Sequence, residues 1–201
     1  MWKRLFNLFS KGDDVVIVTG KKVILRTFTV NDAQQVTQLV ARNKYHWSQF
    51  EPLHHDHFYT YDTQYRKIVE SLNLMRANRE YVFGIFDQET TELIGQVSLF
   101  SMKRLPYASG LIGYSIDEKF VGRGIASEAL SLAIQFAFQT AKLHRLEAYV
   151  SPNNIGSIRV LEKNGFVREG LLRQLLFING TWQDHYLYAL LVDDYNAMNE
   201  E

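Results

Sequence analysis

The chain contains no cysteine, only three prolines among its 201 residues, and no long run of apolar residues. The absence of cysteine excludes a disulfide framework, a thiolate metal site and a cysteine nucleophile. It also agrees with a reducing compartment, so we expect a cytoplasmic protein. No stretch reaches the ~20 apolar residues that span a bilayer, and stable membrane insertion is therefore not expected.

The chain also lacks an excess of charge, because 22 Lys and Arg side chains balance 22 Asp and Glu side chains. A protein that binds the phosphate backbone of nucleic acid needs a surplus of basic residues to displace counterions. We therefore expect no direct nucleic-acid partner. With 46% hydrophobic and 22% charged residues, the composition is that of an ordinary globular protein. The length suits one domain with a substantial core.

The first 20 residues differ from the remainder. Residues 1–11 mix Trp, Leu and Phe with Lys and Arg and contain no acidic residue, which is typical of a short amphipathic segment. We interpret residues 1–20 as an extension and linker that packs on its own domain or on a second copy; loose association with a membrane surface is the alternative. Residues 21–195 then form the domain, and residues 196–201 form a tail. Either a monomer or a homodimer is compatible with this division.

Hydrophobic periodicity predicts the element order β-α-α-β-β-β-α-β-α-β-β. Runs of β-branched and aromatic residues predict strands at residues 23–25, 81–86, 93–100, 111–116, 146–150, 166–178 and 182–191. Helical spacing predicts helices after Asn31 and Asp32 and at residues 62–79, 124–141 and 154–164. Residues 45–61 have no clear period and are interpreted as irregular. The strand–helix–strand unit at 111–150 implies a parallel strand pair, so we predict an α/β fold with a mixed sheet and helices on both faces.

A glycine-rich turn separates the strand at 111–116 from the helix that begins near Gly124. It consists of Val121, Gly122, Arg123, Gly124, Ile125, Ala126 and Ser127. Glycine permits a sharp turn and a close approach of an anion to the backbone, and the following helix offers free N–H groups at its positive end. The segment lacks the features of a Walker loop and of a three-glycine dinucleotide fingerprint. It predicts diphosphate binding, with a tight packing turn as the alternative.

A second motif follows the next strand. It reads Asn154-Ile155-Gly156-Ser157-Ile158-Arg159-Val160-Leu161-Glu162-Lys163-Asn164-Gly165-Phe166. Together with the glycine turn, it resembles the GNAT family of N-acetyltransferases, and more narrowly the branch that acetylates the N-termini of ribosomal proteins. The resemblance covers residues 21–195. It implies the GNAT acyl-CoA N-acyltransferase fold and an enzyme that uses acetyl-CoA and requires no metal.

The resemblance also implies where coenzyme A binds. The backbone amides of residues 122–127 would hold the diphosphate. Pantetheine would lie in a gap between strands that splay at residues 114–116 and 147–150, pairing with the backbone near Ile116, and Asn154 would bind the pantetheine arm. The family prefers Gln or Arg where this chain has Val121, so one phosphate contact is missing; Arg123 is the candidate to replace it.

Glu147 is the predicted general base. The acceptor amine must be neutral before it attacks a thioester, and a carboxylate acting through water is a sufficient base. Glu147 lies on the strand that commonly supplies the base in the family. The alternative is a structural ion pair with Arg145 or Lys142.

Ser157 is the second predicted catalytic residue. The resemblance places a hydroxyl at this position for the departing thiolate. Asn154 and Ser157 also suit the first turn of a helix, where both side chains satisfy free N–H groups, so a purely structural role is the alternative. Tyr149 is a further candidate proton donor.

Two segments resemble the acceptor side of the family branch. Trp47 and Glu51 lie in residues 47–52, where the family builds the acceptor wall. Asp184 and Tyr186 lie in the hairpin at residues 179–186. The same hairpin region also contains Trp182 and Tyr188, which are equally suited to the core.

The acceptor implied by the resemblance is the N-terminal amine of a ribosomal or other protein. The first alternative is a small-molecule amine, such as a polyamine, an amino acid or an aminoglycoside. The second is a non-catalytic module that binds acyl-CoA. No metal site is predicted, because neighbouring histidines on a loop rarely converge on one ion; the residues in question are His54, His55, Asp56 and His57.

Overall fold

The computed structural model describes residues 15–199, in which eight strands form one mixed sheet in the order β1-β2-β3-β4-β5-β6-β8-β7. The strands are β1 (Ile17–Thr19), β2 (Val23–Thr27), β3 (Tyr81–Asp87), β4 (Leu93–Lys103), β5 (Ser109–Ile116), β6 (Arg145–Val150), β7 (Val167–Ile178) and β8 (Thr181–Leu191). The helices are α1 (Ala33–Arg42), α2 (Lys44–Trp47), α3 (Tyr61–Arg76), α4 (Ile125–Gln139), α5 (Ile155–Lys163) and α6 (Val192–Asn199). The predicted α/β fold with a mixed sheet is confirmed.

Three short elements were not predicted. β1 lies within residues 1–20, α2 lies in the segment interpreted as irregular, and α6 overlaps the predicted tail. Each is too short to display a hydrophobic period. The amphipathic segment at residues 1–11 lies outside the described residues. The division into extension, domain and tail therefore stays a prediction.

The side chains of β3 alternate between the two faces of the sheet, and each face is covered by helices. Tyr81 and Phe83 pack on one face against Phe136 of α4, with ring centroids 4.7 and 5.1 Å apart respectively. Val82 and Phe86 belong to the second core, on the face covered by α1 and α3. α4 buries residues on most of its circumference, as its apolar sequence predicts.

β5 and β6 are paired in parallel over only three residue pairs, which join residues 109–111 to residues 145–147. Beyond Leu111, β5 remains paired with β4 as far as Ile116, whereas β6 remains paired with β8 as far as Val150. The two strands therefore separate toward their C-terminal ends and leave a gap in the sheet. A gap at the carboxyl ends of parallel strands is a common place for ligands in α/β folds.

The β7–β8 hairpin extends toward one end of this gap. Its turn residues Asn179 and Gly180 both have positive φ angles, 50° and 86°, as a two-residue hairpin turn requires. The side chain of Asn179 donates from Nδ2 to the carbonyl of Ser48 at 2.7 Å, just beyond α2. The hairpin and the segment after α2 are thus joined. None of the helices within residues 15–199 is long and apolar enough to cross a membrane.

Candidate active site

A groove of about 580 Å³ opens beside the end of β5, where β5 and β6 separate. Four parts of the chain line it: residues within 46–51, the end of β5 at 114–116, the glycine turn with the start of α4, and the segment that begins α5. Both sequence motifs therefore border the same cavity. Eleven of the fifteen predicted site residues line it, namely Trp47, Glu51, Ile116, Val121, Gly122, Gly124, Ile125, Ala126, Ser127, Asn154 and Ser157.

The glycine turn has a conformation that favours glycine at two positions. Gly122 and Gly124 have φ angles of 80° and 78°. A Cβ at Gly122 would meet no atom within 4 Å, so the turn borders open space. Gly124 is the N-cap of α4, whose first N–H groups have no partners inside the helix. This wall offers backbone donors, a positive helix end and room, which is what a diphosphate group requires.

The positive side chains at the turn differ from the prediction. Val121 lines the groove and contributes no polar group. The guanidinium of Arg123 lies over the ring of Phe120, 5.0 Å from its centroid, and Arg123 does not line the groove. Lys22, in the turn between β1 and β2, also lies outside the lining, but it donates from Nζ to the carbonyl of Arg123 at 3.0 Å. The sequence analysis did not identify Lys22.

Asn154 and Ser157 have separate roles at the start of α5. Oδ1 of Asn154 accepts a hydrogen bond from the backbone N–H of Ser157 at 3.0 Å, so Asn154 is the helix cap. The Ser157 hydroxyl instead lies 2.8 Å from the Tyr114 hydroxyl. Burial raises the pKa of Tyr114 to about 12, so the phenol stays protonated at neutral pH. The Ser157 hydroxyl thus has a fixed partner and borders the groove.

Glu51 supplies a carboxylate to the groove. Its Oε1 accepts a hydrogen bond from the Ser115 hydroxyl at 2.6 Å. Burial raises the pKa of Glu51, while the Ser115 hydrogen bond and the charge of Lys67 act in the opposite direction. A carboxylate with a raised pKa, held at the edge of a cavity, is suited to accept a proton near neutral pH.

Trp47 fixes the segment that carries Glu51. The N–H of Asp117 donates to the carbonyl of Ile94 on β4 at 2.8 Å. Because bonding alternates along an antiparallel ladder, the polar backbone groups of Ile116 point away from β4, toward the gap. The carbonyl of Ile116 accepts a hydrogen bond from Nε1 of Trp47 at 2.9 Å. This bond holds residues 46–51 against the end of β5.

Glu147 lies outside the groove lining. It occupies the last parallel pair, opposite Leu111, and Arg145 donates from Nε to its Oε1 at 2.7 Å. Arg145 also pairs with Glu169 at 2.5 Å, so its guanidinium joins two carboxylates. The ion pair that the sequence analysis left open is therefore present. A catalytic role for Glu147 stays a prediction, and this geometry does not favour it; Tyr149 also lies outside the lining.

Asp184 and Tyr186 do not line the groove either. Oδ1 of Asp184 accepts a hydrogen bond from the N–H of Gln174 at 2.8 Å, within the β7–β8 hairpin. The ring of Tyr186 lies beneath the guanidinium of Arg168, 4.6 Å from it. Both side chains have partners inside the hairpin. Their assignment to acceptor binding stays a prediction.

The remaining aromatic and histidine residues take structural positions. Tyr188 is buried in the core, whereas Trp182 is exposed and packs against Phe177. His54 stacks on Phe58, with centroids 3.8 Å apart. Within residues 15–199, no group of three or more His, Asp or Glu side chains is arranged to hold a metal ion.

Residues 22–167 match the family model of the acetyltransferase (GNAT) domain. The probable N-acetyltransferase YjcK of Bacillus subtilis is 40% identical over 178 residues, which are 89% of this chain and 98% of that protein. The crystal structure of ribosomal-protein-S5-alanine acetyltransferase from Vibrio fischeri has a TM-score of 0.85 and 31% identity, over 90% of this chain and 98% of that one. Mycobacterium smegmatis RimJ in complex with CoA-disulfide has a TM-score of 0.81 and 28% identity, over 86% and 83%.

Proposed function

Because this chain belongs to the GNAT family of N-acetyltransferases, we propose that it acetylates the N-terminal α-amine of a ribosomal or other protein. The observation that carries the proposal is the Glu51 carboxylate, which lies in the groove between β5 and β6 beside the coenzyme motifs. The likeness to the Vibrio fischeri enzyme, over nearly the whole length of both chains, supports a protein N-terminus as the acceptor. We place the reaction in the cytoplasm, where ribosomal proteins are made.

Acetyl-CoA is the acetyl donor of this enzyme and, when bound, supplies the acetyl group as an activated thioester. The backbone N–H groups at residues 122–127 are the donors for its diphosphate. Oδ1 of Asn154 is used as the helix cap, so its Nδ2 group remains to donate to the amide carbonyls of the pantetheine arm. The N–H of Ile116 points toward the gap and is a further backbone donor.

Glu51 would remove the proton from the attacking amine. A protein α-amine has a pKa of about 8, so a large fraction is protonated at neutral pH and must lose a proton to react. The ionised carboxylate of Glu51 accepts that proton, directly or through one water. Because burial raises its pKa, Glu51 binds the proton more readily than an exposed glutamate does.

Ser157 would stabilise the sulfur as negative charge develops on it. The Ser157 hydroxyl can donate to the sulfur while it accepts from the Tyr114 hydroxyl. The raised pKa of Tyr114 keeps this second donor protonated. As the C–N bond forms and the C–S bond breaks, the second proton lost from the amine nitrogen would pass through solvent to the departing sulfur, which leaves as a thiol, so no protein nucleophile is required.

The test is to incubate the protein with acetyl-CoA and a panel of amines and to follow thiol release. The panel contains peptides with free Ala or Ser N-termini, the same peptides with blocked N-termini, a polyamine and an aminoglycoside. We expect release only with the free peptides, and mass spectrometry should place the acetyl group on the α-amine.

The blocked peptides are the matched control, because they differ from the free peptides only at the reacting amine. Release with the polyamine or aminoglycoside alone would replace the protein acceptor by a small-molecule acceptor. No release with any amine, although coenzyme binds, would favour a non-catalytic acyl-CoA-binding module.

A further inference from the structure

The turn between β1 and β2 is fixed against the start of α4. The backbone N–H of Lys22 donates to Oε1 of Glu128, in the first turn of α4, at 2.9 Å, and the N–H of Lys21 donates to the same oxygen. A Cβ at Gly20 would crowd this carboxylate and would lie 2.9 Å from the backbone carbonyl of Val23, so glycine permits the close approach. The carbonyl of Lys22 accepts from the N–H of Gln88 at 2.9 Å. The backbone of Lys22 is therefore held on both sides.

This anchoring places the ammonium group of Lys22 at the glycine turn. Its Nζ lies 3.0 Å from the carbonyl of Arg123 and 3.7 Å from the position that a Cβ at Gly124 would take. An ammonium has three N–H donors, and the carbonyl of Arg123 uses one. None of the ion pairs found among residues 15–199 involves Lys22. Its positive charge therefore has no carboxylate partner in the described part of the chain.

The glycine turn needs such a charge. The diphosphate and the 3′-phosphate of coenzyme A bring several negative charges to this end of the groove, and Glu128 adds one in the first turn of α4. Val121 offers no polar group, and the guanidinium of Arg123 lies over Phe120. Backbone N–H groups and the helix end supply only partial charges.

We propose that Lys22 is a phosphate-binding residue of the coenzyme site and provides the cation that the glycine motif lacks. The glycine turn alone would then be an incomplete phosphate site. Lys22, which precedes Arg123 by 101 positions, would complete it from the β1–β2 turn. The ligand group is a phosphate oxyanion, either of the diphosphate or of the 3′-phosphate. This inference concerns coenzyme binding alone and does not depend on which amine is acetylated.

The test is the affinity of Lys22→Gln for coenzyme A, measured by titration calorimetry without any acceptor. We expect the dissociation constant to rise about tenfold, because a charge-assisted hydrogen bond is lost. The dependence of affinity on salt should also become weaker, because one cation fewer meets the phosphates. Lys22→Arg retains the charge and should keep most of the affinity. Lys163→Gln, at the C-terminal end of α5, is the matched loss of a lysine elsewhere.

Two further ligands show which phosphate Lys22 binds, and whether its role is binding or only structural. With 3′-dephospho-CoA, a retained tenfold loss assigns Lys22 to the diphosphate, and a vanished loss assigns it to the 3′-phosphate; both results support the proposal. Pantetheine has no phosphate, so Lys22→Gln should bind it as the unchanged protein does. The proposal is overturned if Lys22→Gln binds coenzyme A normally. It is also overturned if the loss extends equally to pantetheine with an unchanged salt dependence, since Lys22 would then only shape the turn.

Discussion

The two sides of the gap between β5 and β6 are built in different ways. On the side that we propose binds the coenzyme, the site consists mainly of backbone: two glycines with positive φ angles, the start of α4 and the capped start of α5. On the acceptor side, it consists of side chains that meet from distant parts of the chain, such as Glu51 with Ser115. Local sequence determines backbone geometry of this kind, whereas contacts between distant side chains depend on the completed fold.

The largest expected effect is on the coenzyme side. Gly124→Glu should weaken coenzyme A binding by about 100-fold or more, because it strains a left-handed residue and places a negative charge at the diphosphate wall. Titration calorimetry measures the loss. Gly170→Glu is the control, since a Cβ at Gly170 meets no atom within 4 Å and the residue lies on β7. If Gly124→Glu still bound coenzyme A normally, the glycine turn would not be part of the coenzyme site.

The next effect tests the acceptor side. Glu51→Gln should lower kcat by about 100-fold while leaving coenzyme affinity unchanged, because the variant loses a general base and no coenzyme contact. Glu147→Gln is the matched control and should change kcat only a few-fold, since Glu147 pairs with Arg145 outside the groove. If Glu147→Gln lowered kcat more than Glu51→Gln did, Glu147 and not Glu51 would be the general base.

The hydrogen bond from Ser115 to Glu51 should be detectable in the pH dependence of kcat/KM. With Glu51 as the proposed base, activity would require its ionised form, so kcat/KM should fall as the pH is lowered through the raised pKa of this carboxyl group. The Ser115 hydroxyl stabilises the ionised form, and its removal raises that pKa further. In Ser115→Ala the rising limb that belongs to Glu51 should therefore move to higher pH. In Glu51→Gln that limb should be lost, which leaves only the rise caused by ionisation of the acceptor amine at a pKa of about 8. A limb that stays in place in Ser115→Ala contradicts the pairing.

Tyr114 links the two sides, because it extends from β5 to the start of α5. Tyr114→Phe should lower kcat about fivefold through loss of the hydroxyl contact with Oγ of Ser157 at 2.8 Å; it also removes the hydrogen bond that Tyr114 donates to the Ser157 carbonyl at 3.2 Å. Added to Ser157→Ala, it should have little further effect, since both substitutions remove the same pair. Single-turnover kinetics of the four proteins measure this coupling. Fully additive losses would mean that Tyr114 does not act through Ser157.

The smallest expected effect concerns Trp47. Trp47→Phe removes the hydrogen bond to the carbonyl of Ile116 and should lower the free energy of unfolding by about 1 kcal/mol. Urea unfolding measures this change. Trp182→Phe, at an exposed position, is the control and should leave stability unchanged. Equal stability of both variants would show that the bond does not hold the acceptor segment.

This comparison explains what could be predicted from the sequence. The strands, the main helices and the parallel pair follow from local patterns and from one connection rule. Gly122, Gly124 and Asn154, which the resemblance assigns to coenzyme binding, line the groove. Glu147 was predicted as the base because it lies on the strand that commonly supplies the base in the family. The sequence left open an ion pair with Arg145 or Lys142, and only the assembled structure shows that Arg145, two residues away, binds the carboxylate.

The residues that the sequence analysis missed share one property. Lys22 reaches Arg123 across 101 positions, and Tyr114 reaches Ser157 across 43. Ser115 meets Glu51 across 64 positions. No periodicity or local motif indicates such contacts, because they form only when distant elements of the chain, such as β5 and α5, come together. The alternation along β5 does indicate that Tyr114 and Ser115 point to opposite faces near the splayed end.

The three-residue parallel pairing has a consequence for how the folded chain resists unfolding. Within the described chain, this short pairing is where two antiparallel parts of the sheet, β1–β5 and β6–β8, are hydrogen-bonded to each other. A coenzyme bound in the groove would contact the end of β5 and the segment that follows β6, and so would join the two parts. At a concentration 100 times its dissociation constant, it should add about 2.7 kcal/mol to the stability. Amide hydrogen exchange should then slow on β5 and β6 before it slows at the outer edges of the sheet.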